Sequence, residues 1–131
     1  MQENIIKTIT GGLIGVAGFL IGEFDGIFKA LLVLIVADYI TGVIVATVQK
    51  RLSSEVGAKG IAKKVLMLIV VAVAHILDAQ IIGGGAALRN VTIIFYAANE
   101  VISLLENTSA LGVPYPDKLI EVLEQLKNKD K

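Results

Sequence analysis

Residues 27–48 read IFKALLVLIVADYITGVIVATV, an apolar run broken only by Lys29 near its start and Asp38 in its middle. About 20 mostly apolar helical residues cross the hydrocarbon core of a bilayer, so this stretch reads as a transmembrane helix. Three more runs have similar character: residues 5–22, residues 65–82 with His75 and Asp78, and residues 86–105 with Arg89 and Glu100. None alternates at period two, and a single chain needs about eight strands to close a membrane barrel. Residues 5–22 are short and glycine-rich, and glycine lowers helix propensity. They fit either a spanning helix or an interfacial or re-entrant segment. A cleaved signal peptide fits worse, because the leader Met1-Gln2-Glu3-Asn4 has no basic region. The expected fold is an all-α membrane protein in one domain: four transmembrane helices, or three plus one interfacial, followed by a C-terminal amphipathic helix.

Composition agrees with that reading. Of 131 residues, 55% are hydrophobic and only 18% charged, whereas soluble domains carry about a quarter charged residues. The formal net charge is zero, so no global basic field recruits nucleic acid. With no cysteine in the chain, disulfide scaffolds, thiolate metal sites and cysteine nucleophiles are excluded. Neither a metal nor a cofactor is expected. His75 and Asp78 would supply two ligands where three or four are usual, and no phosphate-binding loop is present, the Gly57-x-x-Gly60 pair lacking that pattern.

Charge position is more informative than net charge. With four spans, Lys7, Lys50, Arg51, Lys59, Lys63, Lys64, Lys118, Lys127, Lys129 and Lys131 fall on one side of the membrane, and only Lys29 and Arg89 on the other. The positive-inside rule then places both termini and a basic loop, residues 49–64, in the cytoplasm. Lys50, Arg51, Lys59, Lys63 and Lys64 of that loop suit contact with anionic lipid headgroups, and Ser53 or Ser54 suits a helix cap. The tail, residues 115–131, carries Leu119, Val122, Leu123 and Leu126 at helical spacing. It would rest on the membrane surface or on a neighbouring subunit.

Polar residues inside the runs are costly and so need partners. Asp38 fits a proton or ion relay, a contact between subunits, or a hydrogen bond between helices of one chain. His75 and Asp78 share a helical face, and Asp78 lies one short turn from Arg89, which suggests an Asp78–Arg89 pair. In the last run Arg89, Thr92, Tyr96, Asn99, Glu100, Ser103, Glu106 and Asn107 form one stripe opposite an apolar face. Lipid cannot cover that stripe, so it lines either a water-filled opening between copies or the polar core of a small bundle. Glycines 11, 15, 18 and 22 give Gly11-x-x-x-Gly15 and Gly18-x-x-x-Gly22, spacings that let a second backbone approach closely. They serve self-association or packing within the chain; Gly42, just after Asp38, is a further packing position.

Taken in order, Asp38-Tyr-Ile-Thr-Gly42, Ser53-Ser54…Gly57-x-x-Gly60-Ile-x-Lys63-Lys64, Leu77-Asp78, Tyr96-x-x-Asn99-Glu100-x-x-Ser103-x-x-Glu106-Asn107 and Gly112-x-Pro114-x-Pro116 resemble the toxin-secretion/phage-lysis holins of Gram-positive bacteria and their phages. The likeness covers roughly residues 27–126. It implies a multi-pass protein of the bacterial cytoplasmic membrane, without catalytic residues, that forms homo-oligomers. These open lesions through which a partner endolysin, or a toxin, leaves the cell. A small ion or proton channel or transporter and an antiholin-type regulator are the other classes the residues allow.

Overall fold

The computed structural model describes residues 1–129; Asp130 and Lys131, the end of the expected tail, lie outside the described residues. Five helices follow one another. These are α1 (Gln2–Ile21), α2 (Gly26–Val48), α3 (Ser54–Ile76, continued by the wider π-helical turns Leu77–Ile82), α4 (Ala87–Ala110) and α5 (Asp117–Lys129). The first four are long and apolar enough to cross a membrane. At 1.5 Å per residue, the 23 residues of α2 reach about 34 Å, close to the thickness of a hydrocarbon core.

The expected basic loop is shorter than residues 49–64, because α3 already begins at Ser54. Ser53 explains the early start: its side chain accepts a hydrogen bond from the Val56 amide, 3.2 Å away, and so caps the helix. Lys59, Lys63 and Lys64 are therefore helical, and α3 with its π-helical end runs for 29 residues. Likewise α4 continues to Ala110 rather than stopping near residue 105, since its polar stripe keeps finding partners on α2.

Helices α2, α3 and α4 pack around Phe28, Leu31, Ile35, Met67, Val71 and Ile93. Their inward positions repeat at alternating steps of three and four: 28, 31, 35, 38, 42 and 45 on α2; 57, 60, 64, 67, 71, 74 and 78 on α3; 89, 93, 96, 100, 103 and 107 on α4. That spacing keeps one face of each helix against its neighbours. Tyr39 lies against Gly57 and Gly60, where an added Cβ would already sit 3.4 Å from the ring or its hydroxyl. These glycines therefore make a seat for an aromatic side chain.

Helix α1 differs from the others. None of its residues is buried, and it meets the bundle only near its C-terminal end, at α3 and α4. Nothing lies within 4 Å of a Cβ placed at Gly11, Gly15 or Gly18. Gly22 is another matter. It ends α1 at φ 86° and ψ −145°, a conformation essentially reserved for glycine, and a Cβ there would sit 2.8 Å from the His75 ring. Its role is the turn into α2, so it separates from the other three glycines.

Gly22→Ala should therefore lower stability by about 1–3 kcal/mol through backbone strain and the His75 clash, read as thermal unfolding in detergent. Gly18→Ala should be neutral or slightly stabilising, since it meets open space and gains helix propensity. Equal effects of the two substitutions would contradict this assignment.

Candidate functional site

Two charged centres sit inside the bundle, one near its middle and one at the end opposite the 49–53 turn. In the middle, the Lys64 ammonium donates to Asp38 Oδ2 and to Glu100 Oε2, both at 2.5 Å. Each helix contributes one charge: α2 the aspartate, α3 the lysine, α4 the glutamate. Asp38 and Glu100 are buried, at 7% and 5% exposure. Asn107 completes the layer, its Nδ2 donating to Asp38 Oδ1 (3.0 Å), the Asp38 carbonyl (3.3 Å) and Thr41 Oγ1 (3.0 Å). Gly42 faces the same amide. Charges in a low-dielectric interior are tolerated only when paired and hydrogen-bonded, and here each has a partner from another helix. Lys64 is thus no headgroup contact, as the sequence suggested, but the central cation of the fold.

At the opposite end Arg89, 2% exposed, holds three segments together. Its Nε donates to the Ile21 carbonyl (2.6 Å), its Nη2 to the Glu23 carbonyl (2.5 Å), and its Nη1 to Asp25 Oδ2 (3.0 Å). The rigid fork of five N–H donors on a guanidinium makes such divergent bonding possible. The expected Asp78–Arg89 ion pair does not form. Asp78 instead accepts from the backbone amides of Leu88 (3.2 Å) and Arg89 (2.9 Å). The physical reason is local: α4 starts after Ala86, which has no capping side chain, so the first amides take the nearest buried carboxylate. Asp25 was missed in the sequence, although its place just before an apolar run marks a helix cap. It caps α2 through Phe28 N (3.1 Å) as well as holding Arg89.

The remaining predicted positions are spread around these centres. His75 packs beneath Gly22, Tyr96 leans on the apolar core, and Asn99 is half-buried. Thr92 returns a hydrogen bond to the Leu88 carbonyl within its own helix (2.7 Å). Ser103 borders a cleft of about 260 Å³ beside the Lys64 layer, along with Tyr39, Gly57 and Lys63. Lys50, Arg51, Lys59 and Lys63 are exposed around the 49–53 turn and the first turns of α3. Arg89, Glu100 and Asn107 of the α4 stripe are therefore turned into the bundle and engaged within the chain, whereas Glu106 is exposed.

The fold and its intramembrane charge layer define a multi-pass, all-α membrane protein. Residues 15–128 match the bacteriophage holin family, and the chain belongs to that family. It is 44% identical to an uncharacterized 14.9 kDa protein from the nagH 3′ region of Clostridium perfringens, covering 98% of this chain and 99% of that one. An uncharacterized protein of Listeria innocua is 45% identical over 90% of this chain and 84% of its own length. The Bacillus subtilis protein YtkC, also uncharacterized, is 32% identical over 90% and 87%. No solved structure matches the chain.

Two predictions follow from the charged centres. Lys64→Met leaves two buried carboxylates facing each other without a cation and should cost about 3–5 kcal/mol. Adding Asp38→Asn and Glu100→Gln should restore most of the lost thermal stability, and a single variant melting like wild type would disprove the role of the layer. At the other centre the Arg89 guanidinium holds the Asp25 carboxyl below its ordinary value of 3.8, outweighing the opposing effect of burial. A depressed folded-state value stabilises above the unfolded value, and that contribution disappears as pH falls through the folded one. Stability of the wild type should accordingly drop below about pH 4, and Asp25→Asn should remove that component of the acid dependence.

Proposed function

We propose that this chain acts as a holin. Copies accumulate in the bacterial cytoplasmic membrane with the 49–53 turn and both termini in the cytoplasm, self-associate, and open lesions that release an endolysin or a toxin. The observation that carries this reading, beside the family membership, is α1. It is a spanning-length helix with no buried residue, and its glycine face at 11, 15 and 18 is open.

Within lipid the hydrophobic effect gives no reason for helices to associate, and small-residue faces do so through close van der Waals packing. A bundle that closes on itself through α2–α4 while leaving α1 bare has one adhesive element to offer another copy. With Lys64 inside the bundle, the nine other basic residues on that side of the spans support the orientation, and the exposed Lys50, Arg51, Lys59 and Lys63 suit its anionic lipid surface. We assign no catalytic step. A relay or channel is the weaker reading because Asp38 and Glu100 are both held by Lys64 rather than strung along a path.

Inducible expression in a Gram-positive host provides the test. The chain alone should collapse the membrane potential and stop growth after a delay, and with an endolysin the culture should lyse. Gly15→Leu with Gly18→Leu should insert normally and lengthen the delay several-fold. Persistent potential and viability after wild-type induction, with endolysin present, would refute the reading.

A further inference from the structure

Helix α5 is placed where a membrane cannot tolerate it. From the linker at residues 111–116 it turns back along α4, and Leu123 and Leu126 close one side of a groove whose other walls include Ile27, Ala30, Ile94, Ala97, Ala98 and Val101. Leu123 is 8% exposed. The groove lies at the middle of α4, the level at which a spanning α4 meets the hydrocarbon core. The outer face of α5 there carries Lys118, Glu121, Glu124 and Gln125, all exposed. Lipid at this depth would have to solvate several charges with no partner, which membrane proteins avoid. Water would solvate them freely. The same helix is strongly amphipathic, with an apolar face that suits the membrane interface equally well.

Resting on the holin reading above, we propose that α5 has two stations. In the closed membrane it lies on the cytoplasmic surface with its apolar side in the headgroup region. In the assembled lesion it docks into the α2–α4 groove, as the structure shows it, and its polar face lines the aqueous lumen. This assignment solves a difficulty left by α4. Arg89, Glu100 and Asn107 of its polar stripe are committed to Asp25, Lys64 and Asp38, and the strip of α4 beside the groove, Ile94, Ala97, Ala98 and Val101, is apolar. A water-filled opening bounded by that apolar strip would dewet, whereas α5 lies along it, with Ala98 and Leu123 buried at the contact, and presents charge beside it. The lumen surface is then a separate layer added from the tail, and the bundle beneath it opens without breaking its ionic layer.

Because the chain contains no cysteine, an introduced pair supplies its only thiols. The full chain carrying Ala98→Cys and Leu123→Cys, or separately Ala97→Cys and Leu126→Cys, would be expressed with a protease site in the 111–116 linker. Cells would receive a short membrane-permeant bis-maleimide before and after permeabilisation. Crosslinked chains stay in one piece after cleavage, and their fraction should rise at least five-fold when the lesion opens. An unchanged fraction in cells that do lyse overturns the proposal and leaves the holin reading intact. Failure of the wild-type chain to permeabilise cells removes both. Independently, Glu121→Leu with Glu124→Leu in the cysteine-free chain should keep its membrane level and slow marker release several-fold; unchanged release would also overturn the two-station assignment.

Discussion

The contact on which the rest of the bundle depends is one lysine shared by two carboxylates in the middle of a membrane-thick structure. Apolar helices in lipid have little to fix their register, because one Leu or Val contact is much like the next and lipid tails compete on equal terms. A buried charge changes that. Lys64 must meet Asp38 and Glu100, and it can do so at only one rotation and one height of each helix. A slip of one turn, about 5.4 Å, would leave three charges unpaired in a medium that penalises each severely. Polar residues at otherwise apolar seams fix register in coiled coils by the same logic. Asn107 and Thr41 then tie the layer to the adjoining turn, while Arg89 secures the far end, where α1 meets α2 and α4 begins.

The helices were legible because hydrophobic length is a strong signal and lipid leaves few alternatives to an α-helix. Their pairing was less so. The polar residues of α4 were visible as a stripe, but a stripe says only that lipid is excluded from it, and bundle core or lumen would satisfy that equally. What draws Glu100 of that stripe into the bundle is a cation hidden in a basic cluster. Lys64 follows Lys63 and falls in a segment rich in Lys and Arg, where electrostatic attraction to headgroups is the ordinary use. Yet it continues the series 57, 60, 64, 67, 71, 74 and 78, and that periodicity separates it from Lys63. Charge type had masked helical phase. Asp78 departs from the expected ion pair for a related reason: the first amides of α4 have no acceptors within their own helix, and a carboxylate near a helix start serves those amides first.

On the proposed holin reading, a protein quiescent in a membrane that later opens it faces conflicting demands, since polar surface suited to a lumen is intolerable while lipid surrounds it. The architecture separates these demands in space. The ionic layer is satisfied entirely within α2, α3 and α4, so it needs no partner from a neighbouring copy. Helix α1 shares no part of that layer and can engage another copy without disturbing it. Helix α5 is joined to α4 by a six-residue linker, 111–116, about which the proposed movement of the tail would turn. Rigid centre, sticky arm and amphipathic tail can therefore respond to different variables: bundle stability to the charge pairing, association to copy number, and the tail to whether water or lipid lies beside α4. On the proposed reading, this division means that conditions favouring assembly need not weaken the folded monomer, and lesion opening would be a change of surroundings and of tail position rather than an unfolding of the helices that cross the membrane.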